Sequence, residues 1–251
     1  MAIKKYLFKF TFYEINQKAI DMQVLRFLIA LSLMVFITNN LSARKIENEQ
    51  FALFDYDVII TEDFLKEIEG LEGAINKIRG YDRKGQEKLK GKVYDIAYFY
   101  IEEKLEKTFN IDILPANSYM DNINYNSYAY PDASVRKAQD YGNSKFYFKV
   151  TIYIETATPK GKDAQNSILY RNKTSPQVTI EVEVFERIGI LSVGKAVGIS
   201  KTTMPQRVED DFLKGIVTPL DETEVSDLDE TLFALILKAI NNMLISFDKN
   251  I

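Results

Sequence analysis

The side chains that offer chemistry in this chain are carboxylates and tyrosines, because its 251 residues include no histidine and no cysteine. The chain therefore has no thiol nucleophile, no disulfide, no Ser-His-Asp triad and none of the common zinc or iron–sulfur ligand sets. Carboxylate, lysine or tyrosine chemistry, oxygen coordination of a hard cation, and binding without catalysis remain.

Two pairs of carboxylates share a strand face by alternation. Asp55 and Asp57 form the first pair, in "FDYD", and Glu181 and Glu183 form the second. Two carboxyl groups across a cleft are what glycoside hydrolysis needs. No third ligand accompanies either pair, so we interpret the first as a solvent-facing or edge position and the second as a wet strand surface. We predict no metal site, no cofactor and no catalytic residue.

Three tyrosines form the one candidate binding site in the sequence. Tyr125, Tyr128 and Tyr130, in "YNSYAYPDAS", follow neither the helical nor the strand period. One interpretation is a loop that stacks on a ligand or binds a partner, and the other is a loop folded over the edge of the sheet.

The stretch "GKAVGIS", which begins at Gly194, places two glycines near a lysine. It lies inside a predicted hairpin and not between a strand and a helix, which argues against a phosphate-binding loop. We predict instead that Gly194 and Gly198 permit a bulge or a strand twist.

The N-terminal segment carries an export pattern. An eleven-residue apolar run, "FLIALSLMVFI" (27–37), follows Arg26 and precedes small residues that end at Ala43. These features predict a signal peptide over residues 1–43, with Met22 as the possible true start. The alternatives are a buried core helix or an uncleaved membrane anchor. We expect a periplasmic or secreted bacterial protein with one α/β domain over residues 44–251.

The charge of the exported chain is acidic. Removing residues 1–43 takes away five of the 32 basic residues and two of the 36 acidic ones, which leaves a formal net charge of −7. Nucleic acid and anionic membrane are therefore not expected as main partners, because phosphate binding needs a basic surface. We also expect no stable membrane span after signal cleavage.

The first half of the domain alternates between strand and helix patterns. "FALFDYDVII" (51–60) predicts a strand, and a helix weakened by Gly70 and Gly73 follows. "YDRKGQEKLKG" (81–91) is interpreted as a charged connection, and "KVYDIAYFYIEEKLEKTF" (92–109) predicts the clearest helix. A short strand is expected between Ile111 and Leu114.

The second half predicts a meander of strands. A short helix from Pro131 to Gly142 leads into "FYFKVTIYIE" (146–155), which alternates like a strand with one buried and one partly wet or helix-flanked face. Two more strands form a hairpin near Gly189, and a final helix is expected from Ser226. The fold class is therefore α/β (α+β), with a single mixed, largely antiparallel sheet and helices packed on it.

The stretches "YPDASVRKAQDYGNSKFYFKVTIYIE" and "VTIEVEVFERIGILSVGKAVGIS" resemble the N-terminal domain of the periplasmic protein TolB and related envelope lipoproteins, over about residues 51–248. The resemblance implies the order β-α-(α)-β-α-β-β-β-α and, because the family members are envelope interaction modules, binding and not catalysis. The chain departs from that family in lacking a lipid-anchoring cysteine and a following propeller domain.

The leading functional hypothesis is an exported, non-catalytic binding or assembly module of the bacterial cell envelope that has a protein partner. Its expected contacts are an exposed strand edge and two irregular spans, residues 156–176 and 204–226. The alternative is a carboxylate-dependent glycoside hydrolase or sugar-binding protein that uses Asp55 and Asp57, with tyrosines as a platform for sugar rings. An orphan structural protein is a third possibility.

Overall fold

A computed structural model describes residues 46–79, 82–157, 174–204, 206–217 and 230–251. Within these residues the strands are β1 (Gln50–Ile60), β2 (Asp112–Ile113), β3 (Phe146–Thr156), β4 (Pro176–Glu186) and β5 (Ser192–Lys201). The helices are α1 (Glu62–Ile68), α2 (Glu72–Ile75), α3 (Gly85–Phe109), α4 (Val135–Tyr141) and α5 (Leu232–Asn250). Short 3₁₀ turns lie at Glu69–Leu71, Met120–Asn122 and Asp210–Leu213.

The strands form one mixed sheet in the order β2-β1-β3-β4-β5. β1 runs parallel to β2 and to β3, whereas β3, β4 and β5 are antiparallel neighbours. Parallel neighbours require long crossover connections. The helices α1 to α3 lie in the connection from β1 to β2, and α4 lies in the connection from β2 to β3. The predicted fold class, helices packed on a single mixed sheet, is confirmed.

Strand alternation divides the sheet into two faces. The core face of β3 and β4 consists of Phe146, Phe148, Val150, Ile152, Ile154, Val178, Ile180, Val182 and Val184, all of them buried. Residues of α3 and α5 belong to the same hydrophobic cluster, so both helices cover this face. A second, smaller cluster that includes Phe54, Tyr119, Tyr147 and Phe185 lies outside it.

Three predicted helix boundaries differ from the structure. The short helix expected from Pro131 begins at Val135, where the Ser134 hydroxyl accepts a hydrogen bond from the amide of Lys137. That boundary was wrong because Pro131 and Ala133 bond to β1 instead.

Residues 85–91, interpreted as part of a charged connection, are the first turns of α3, and Leu89 is buried there. That expectation was wrong because one buried leucine anchors an otherwise charged stretch to the core. The last helix begins at Leu232, where the Thr231 hydroxyl accepts a hydrogen bond from the amide of Ala234. Ser226, the expected cap, lies outside the described residues.

The glycines of "GKAVGIS" serve the packing of α5. A Cβ atom added to Gly198 would lie 2.0 Å from the Ala239 carbonyl oxygen and 2.3 Å from the Met243 amide nitrogen. One added to Gly194 would lie 2.4 Å from the Ile251 side chain. The strand register also shifts between Val184 and Phe185, so the predicted bulge is present as well.

The predicted signal peptide, residues 1–43, and the alternative start at Met22 lie outside the described residues. In the part of the chain that the structure describes, no helix has both the length and the apolar character needed to span a membrane.

Candidate functional site

The loop that contains the three candidate tyrosines lies along the free edge of β1. β2 pairs only with the first two residues of β1, which leaves the rest of that edge without a strand neighbour. The Tyr56 amide donates to the Pro131 carbonyl at 3.1 Å, and the Ala133 amide donates to the Phe54 carbonyl at 3.1 Å. The Asn126 side-chain amide donates to the Tyr56 carbonyl, also at 3.1 Å. The loop therefore satisfies backbone groups that an edge strand leaves exposed.

Asn126 also fixes the shape of this loop. Its side-chain oxygen accepts from the amides of Tyr128 at 2.9 Å and Tyr130 at 3.2 Å. The Asn126 amide donates to the Tyr130 carbonyl at 2.8 Å, and Ala129 takes a left-handed φ of 66° between them. An asparagine that bonds to the backbone ahead of it is typical of tight turns. The turn presents Tyr128 and Tyr130 to α3 together.

Tyr128 and Tyr130 pack against tyrosines of α3 and β1. The Tyr94 ring centroid lies 4.6 Å from that of Tyr128 and 5.4 Å from that of Tyr130, with both pairs stacked. Tyr130 also meets the Tyr56 ring edge-to-face at 4.9 Å. Both loop tyrosines remain partly exposed. We call these four residues, together with Tyr98, the tyrosine cluster.

Acidic residues on α3 accept hydrogen bonds from the two loop tyrosines. The Tyr130 hydroxyl donates to Asp95 at 3.1 Å, and the Tyr128 hydroxyl donates to the Glu87 carboxylate. Burial raises the pKa of Asp95, while the bond from Tyr130 opposes that rise. The loop is thus fastened to α3 at two points that lie about two helical turns apart.

Arg83 closes the outer side of the loop. Its guanidinium carbon lies 4.2 Å from the centroid of the Tyr128 ring, within the range of a cation–π contact. The same side chain donates to the Ser127 hydroxyl at 3.2 Å and lies 3.7 Å from the Glu87 carboxylate. Glu87 also lines a groove of about 690 Å³ between α1, α2 and the start of α3.

Asp57, one of the paired carboxylates, is held by α3. The Tyr94 hydroxyl donates to it at 2.7 Å, and the Lys90 ammonium lies 3.6 Å away. Burial first, and then the hydrogen bond to Asp57, raise the pKa of Tyr94 well above its usual value. The Tyr94 hydroxyl therefore stays protonated at neutral pH and acts as a donor that joins α3 to β1.

Asp55 has different surroundings from Asp57. The register between β1 and β3 shifts between Leu53 and Asp55, and Asp55 forms an isolated bridge with Asp132. Burial raises the pKa of Asp55, Lys149 opposes that rise, and Asp132 and Asp57 add to it. Over the described ranges, no group of three or more acidic, histidine or cysteine side chains is placed to hold a metal ion.

Tyr125 stands apart from the other two candidate tyrosines. It packs, partly buried, against the smaller hydrophobic cluster that contains Phe54 and Tyr147. The structure therefore brings Tyr128 and Tyr130 together and separates Tyr125 from them. The binding role of the three tyrosines stays a prediction.

The face of the sheet opposite the core is partly exposed across four strands. Its two central rows of cross-strand neighbours are Asp57, Thr151, Glu181 and Val197, and Ile59, Tyr153, Thr179 and Ile199. We call these eight residues the open face, since each side chain is partly or fully exposed. Lys195 and Glu183 form the next pair of cross-strand neighbours. The Lys195 ammonium lies 2.8 Å from the Glu181 carboxylate and 3.4 Å from the Glu183 carboxylate, which agrees with a solvent-exposed strand surface.

The outer edge of β5 is covered by polar side chains of α5. Asn242 donates to the Ile199 carbonyl at 2.8 Å, Asn250 donates to the Lys195 carbonyl at 3.2 Å, and the Ser246 hydroxyl accepts from the Val197 amide at 3.1 Å. These three α5 residues, spaced four apart, form what we call the edge stripe. The expected exposed strand edge is therefore wrong for β5 and for β1 beyond Phe51, because side chains and a loop occupy both. The spans 158–173 and 218–229 lie outside the described residues.

Sequence reasoning did not identify the partners of the tyrosine cluster or the apolar turn between β4 and β5. One signal in the sequence could have indicated the partners: α3 carries two acidic residues, Glu87 and Asp95, in addition to Tyr94. The turn gave a clearer one, because "IGILSV" places aliphatic residues where polar turn residues are expected.

Comparison with known proteins gives likenesses in structure alone. No family model matches, and no curated protein matches by sequence. The hypothetical protein CT253 from Chlamydia trachomatis has a TM-score of 0.36 at 8% identity, over 80% of this chain and 96% of that one. Lipoprotein GNA1162 from Neisseria meningitidis has a TM-score of 0.34 at 7% identity, over 73% and 99%.

A homologue of neuraminyllactose-binding hemagglutinin from Helicobacter pylori has a TM-score of 0.31 at 9% identity, over 82% of this chain and 84% of that one. At these TM-scores the likenesses carry no argument about function. No match specific to the TolB N-terminal domain was found.

Proposed function

We propose that this chain is an exported, non-catalytic binding or assembly module of the bacterial cell envelope, and that a protein partner contacts its open face. Export rests on the apolar run at residues 27–37 and the small residues that end at Ala43. The absence of histidine and cysteine from the sequence removes the commonest catalytic groups.

The open face is the observation that carries this proposal. It combines charged, hydroxyl, aromatic and aliphatic side chains on four neighbouring strands. Ile199 is 51% exposed at one side of it, and Tyr153 lies near its middle. Aromatic residues are enriched at the centres of protein interfaces, and Tyr153 lies beside Ile59 in the same row as Ile199.

The contacts of the carboxylates support binding over catalysis. Asp57, Glu87 and Asp95 each accept a tyrosine hydroxyl that ties one segment of the fold to another. Glu181 pairs with Lys195. A catalytic pair needs one carboxyl held protonated and one free to act on the opposite side of a substrate. These four carboxylates are instead engaged in structural contacts.

The test is recovery of a partner from envelope extracts with the chain from residue 44 onward. Ile199→Arg places a charge on the open face, and Ile245→Arg is its matched control, since Ile245 on α5 is also exposed, at 58%. We expect the wild type and the control to recover the same protein, and Ile199→Arg to lose it. Equal recovery by both variants, with unchanged melting temperatures, would overturn the open face as the contact.

Tyr125, Tyr128 and Tyr130 remain candidate binding residues of this module. Tyr128→Ala removes a ring that packs on Tyr94 and lies under Arg83, so we expect it to lower the melting temperature. Tyr128→Phe keeps the ring and removes only the hydroxyl. A binding role predicts that Tyr128→Phe weakens recovery of the partner more than Glu87→Ala, which removes the same side-chain hydrogen bond. A purely structural role predicts that recovery falls in each variant only as far as its melting temperature falls.

A carboxylate-dependent glycoside hydrolase, or a sugar-binding protein, is the second candidate. The observation that favours it is Asp55, whose pKa is raised by burial and which lies near Asp57 and Asp132. A raised carboxyl pKa is what a general acid requires. The check is release of reducing ends from cell-wall and capsular polysaccharides by the wild type and by Asp55→Asn. Release that the substitution abolishes would favour the hydrolase, and no release by either protein would remove the hydrolase but not the sugar-binding protein.

A further inference from the structure

Large aliphatic side chains project into solvent at the turn between β4 and β5. Ile188 is 90% exposed, Ile190 65%, Leu191 82% and Val193 48%. These four exposed residues lie within six positions at the turn of a hairpin. We call residues 188–193 the apolar tip. Patches of this kind on an otherwise soluble domain mark contact with a protein or a membrane.

The fold holds the apolar tip in place with hydrogen bonds from outside the turn. The Gln139 side chain on α4 donates to the carbonyls of Glu186 and Gly189, each at 2.7 Å. The Ser192 hydroxyl bonds to the carbonyls of Val184 at 3.1 Å and Gly194 at 2.7 Å. Gly189 adopts a φ of 115°, which favours glycine. The tip is therefore an ordered projection and not a frayed loop.

The apolar tip lies at the end of the sheet where the N-terminal segment enters the domain. Phe51, near the start of β1, pairs with Phe146, and Phe146 pairs with Glu186 at the end of β4. Two strand spacings, about 10 Å, separate β1 from β4. The apolar run 27–37 precedes the first described residue, Ile46, by eight residues, which span at most about 28 Å when extended.

The chemistry of the tip favours lipid over a protein partner. Its side chains are aliphatic, whereas the energetic centres of protein interfaces are enriched in tryptophan, tyrosine and arginine. No charged residue lies between Ile188 and Val193. We propose that, where the N-terminal apolar run is retained as an uncleaved membrane anchor, the apolar tip inserts into the interface of the bilayer that holds this run. This inference does not depend on the open face or on its protein partner.

Because the chain has no cysteine, a single label reports on the tip directly. Leu191→Cys places an environment-sensitive fluorophore on the tip, and Lys201→Cys places it at the opposite end of β5 as the matched control. The full chain is reconstituted into phosphatidylcholine vesicles and separated by flotation. We expect a blue shift and quenching by lipid-borne nitroxide at position 191 and neither at position 201. We also expect the quenching to persist at raised salt, because apolar burial drives it.

A second variant tests whether the quenching requires the aliphatic side chains or only a position close to the membrane. Ile188→Ser with Ile190→Ser, in the Leu191→Cys background, is expected to lose most of the nitroxide quenching while the chain still floats. Shielding of the label without vesicles would assign the tip to a second copy of the chain and overturn the proposal. Equal quenching at positions 191 and 201, or a chain that does not float, would overturn it as well.

Discussion

Asn126 and Tyr56 are joined across the free edge of β1, where the side-chain amide of Asn126 donates to the Tyr56 carbonyl at 3.1 Å. The same side chain accepts from the amides of Tyr128 and Tyr130. One residue therefore both shapes the tyrosine loop and attaches it to the sheet.

Asn126→Ala removes these three bonds and a fourth, from the Asn126 side-chain amide to the Tyr94 hydroxyl at 3.4 Å, and it leaves a strand carbonyl without its partner. We expect a loss of about 1–3 kcal/mol in the free energy of unfolding, measured by urea denaturation. Asn124→Ala is the matched control, because Asn124 is exposed and contributes its backbone carbonyl to the loop. Equal stability of the two variants would show that the Asn126 bonds are dispensable.

Gly198→Ala tests the close packing of α5 on β5. The added methyl group would lie within 2.3 Å of two backbone atoms of α5, so the helix must move away from the strand. We expect a loss of at least about 1–3 kcal/mol, as for overpacked cores. Gly73→Ala is the control, because an added Cβ at Gly73 meets nothing within 4 Å and alanine favours a helix. Thermal melts that show Gly198→Ala as stable as Gly73→Ala would contradict this packing.

Replacing the edge stripe by alanine at positions 242, 246 and 250 tests whether it keeps β5 from pairing with another chain. The variant frees the backbone groups of Lys195, Val197 and Ile199, and an unpaired strand edge promotes association. We expect light scattering to give the triple variant a larger mass than the wild type, because its chains associate into dimers or larger species. Asn241→Ala, at an exposed neighbouring position, should leave the mass unchanged. A triple variant with the wild-type mass would mean that the stripe has no protective role.

Asp55→Asn is expected to change how stability depends on pH. Burial raises the pKa of Asp55 in the folded state above its value of 3.8 in the unfolded state. The folded protein therefore holds this proton more tightly, and the wild type loses stability as pH rises from about the unfolded pKa through the folded pKa. We expect Asp55→Asn to be more stable than the wild type at neutral pH and the difference to shrink as the pH falls below that range.

Asp248→Asn, which removes an exposed carboxyl on α5, is the control for this measurement. Urea denaturation across the acidic range follows both variants. A stability difference for Asp55→Asn that does not depend on pH would contradict the claim that burial raises the pKa of Asp55.

The sheet could be predicted from the sequence because its strands alternate plainly. Phe146 to Ile154 keep a period of two, and the broken helix after β1 follows from Gly70 and Gly73. The start of α3 could not be predicted from the sequence, because Leu89 is a single apolar residue in a charged stretch and its burial depends on the tertiary fold.

The candidate site was predictable only in part. The tyrosines stood out because they had no period, yet nothing local showed that Asn126 would bond to Tyr56, a residue 70 positions away. The edge stripe could not be predicted for the same reason. Asparagine and serine residues spaced four apart are common on exposed helix faces, and only the fold shows that these three lie beside β5. Long-range pairing of polar groups is decided by the fold and carries no local pattern.

The central claim is that the open face contacts a protein partner, and site-specific photocrosslinking in living cells tests it most directly. A photoreactive residue is placed at position 199 on the open face and, as the control, at position 245 on α5. The account predicts a reproducible crosslinked species of higher mass from position 199 and none from position 245. No crosslink from position 199, or the same species from both positions, would contradict it.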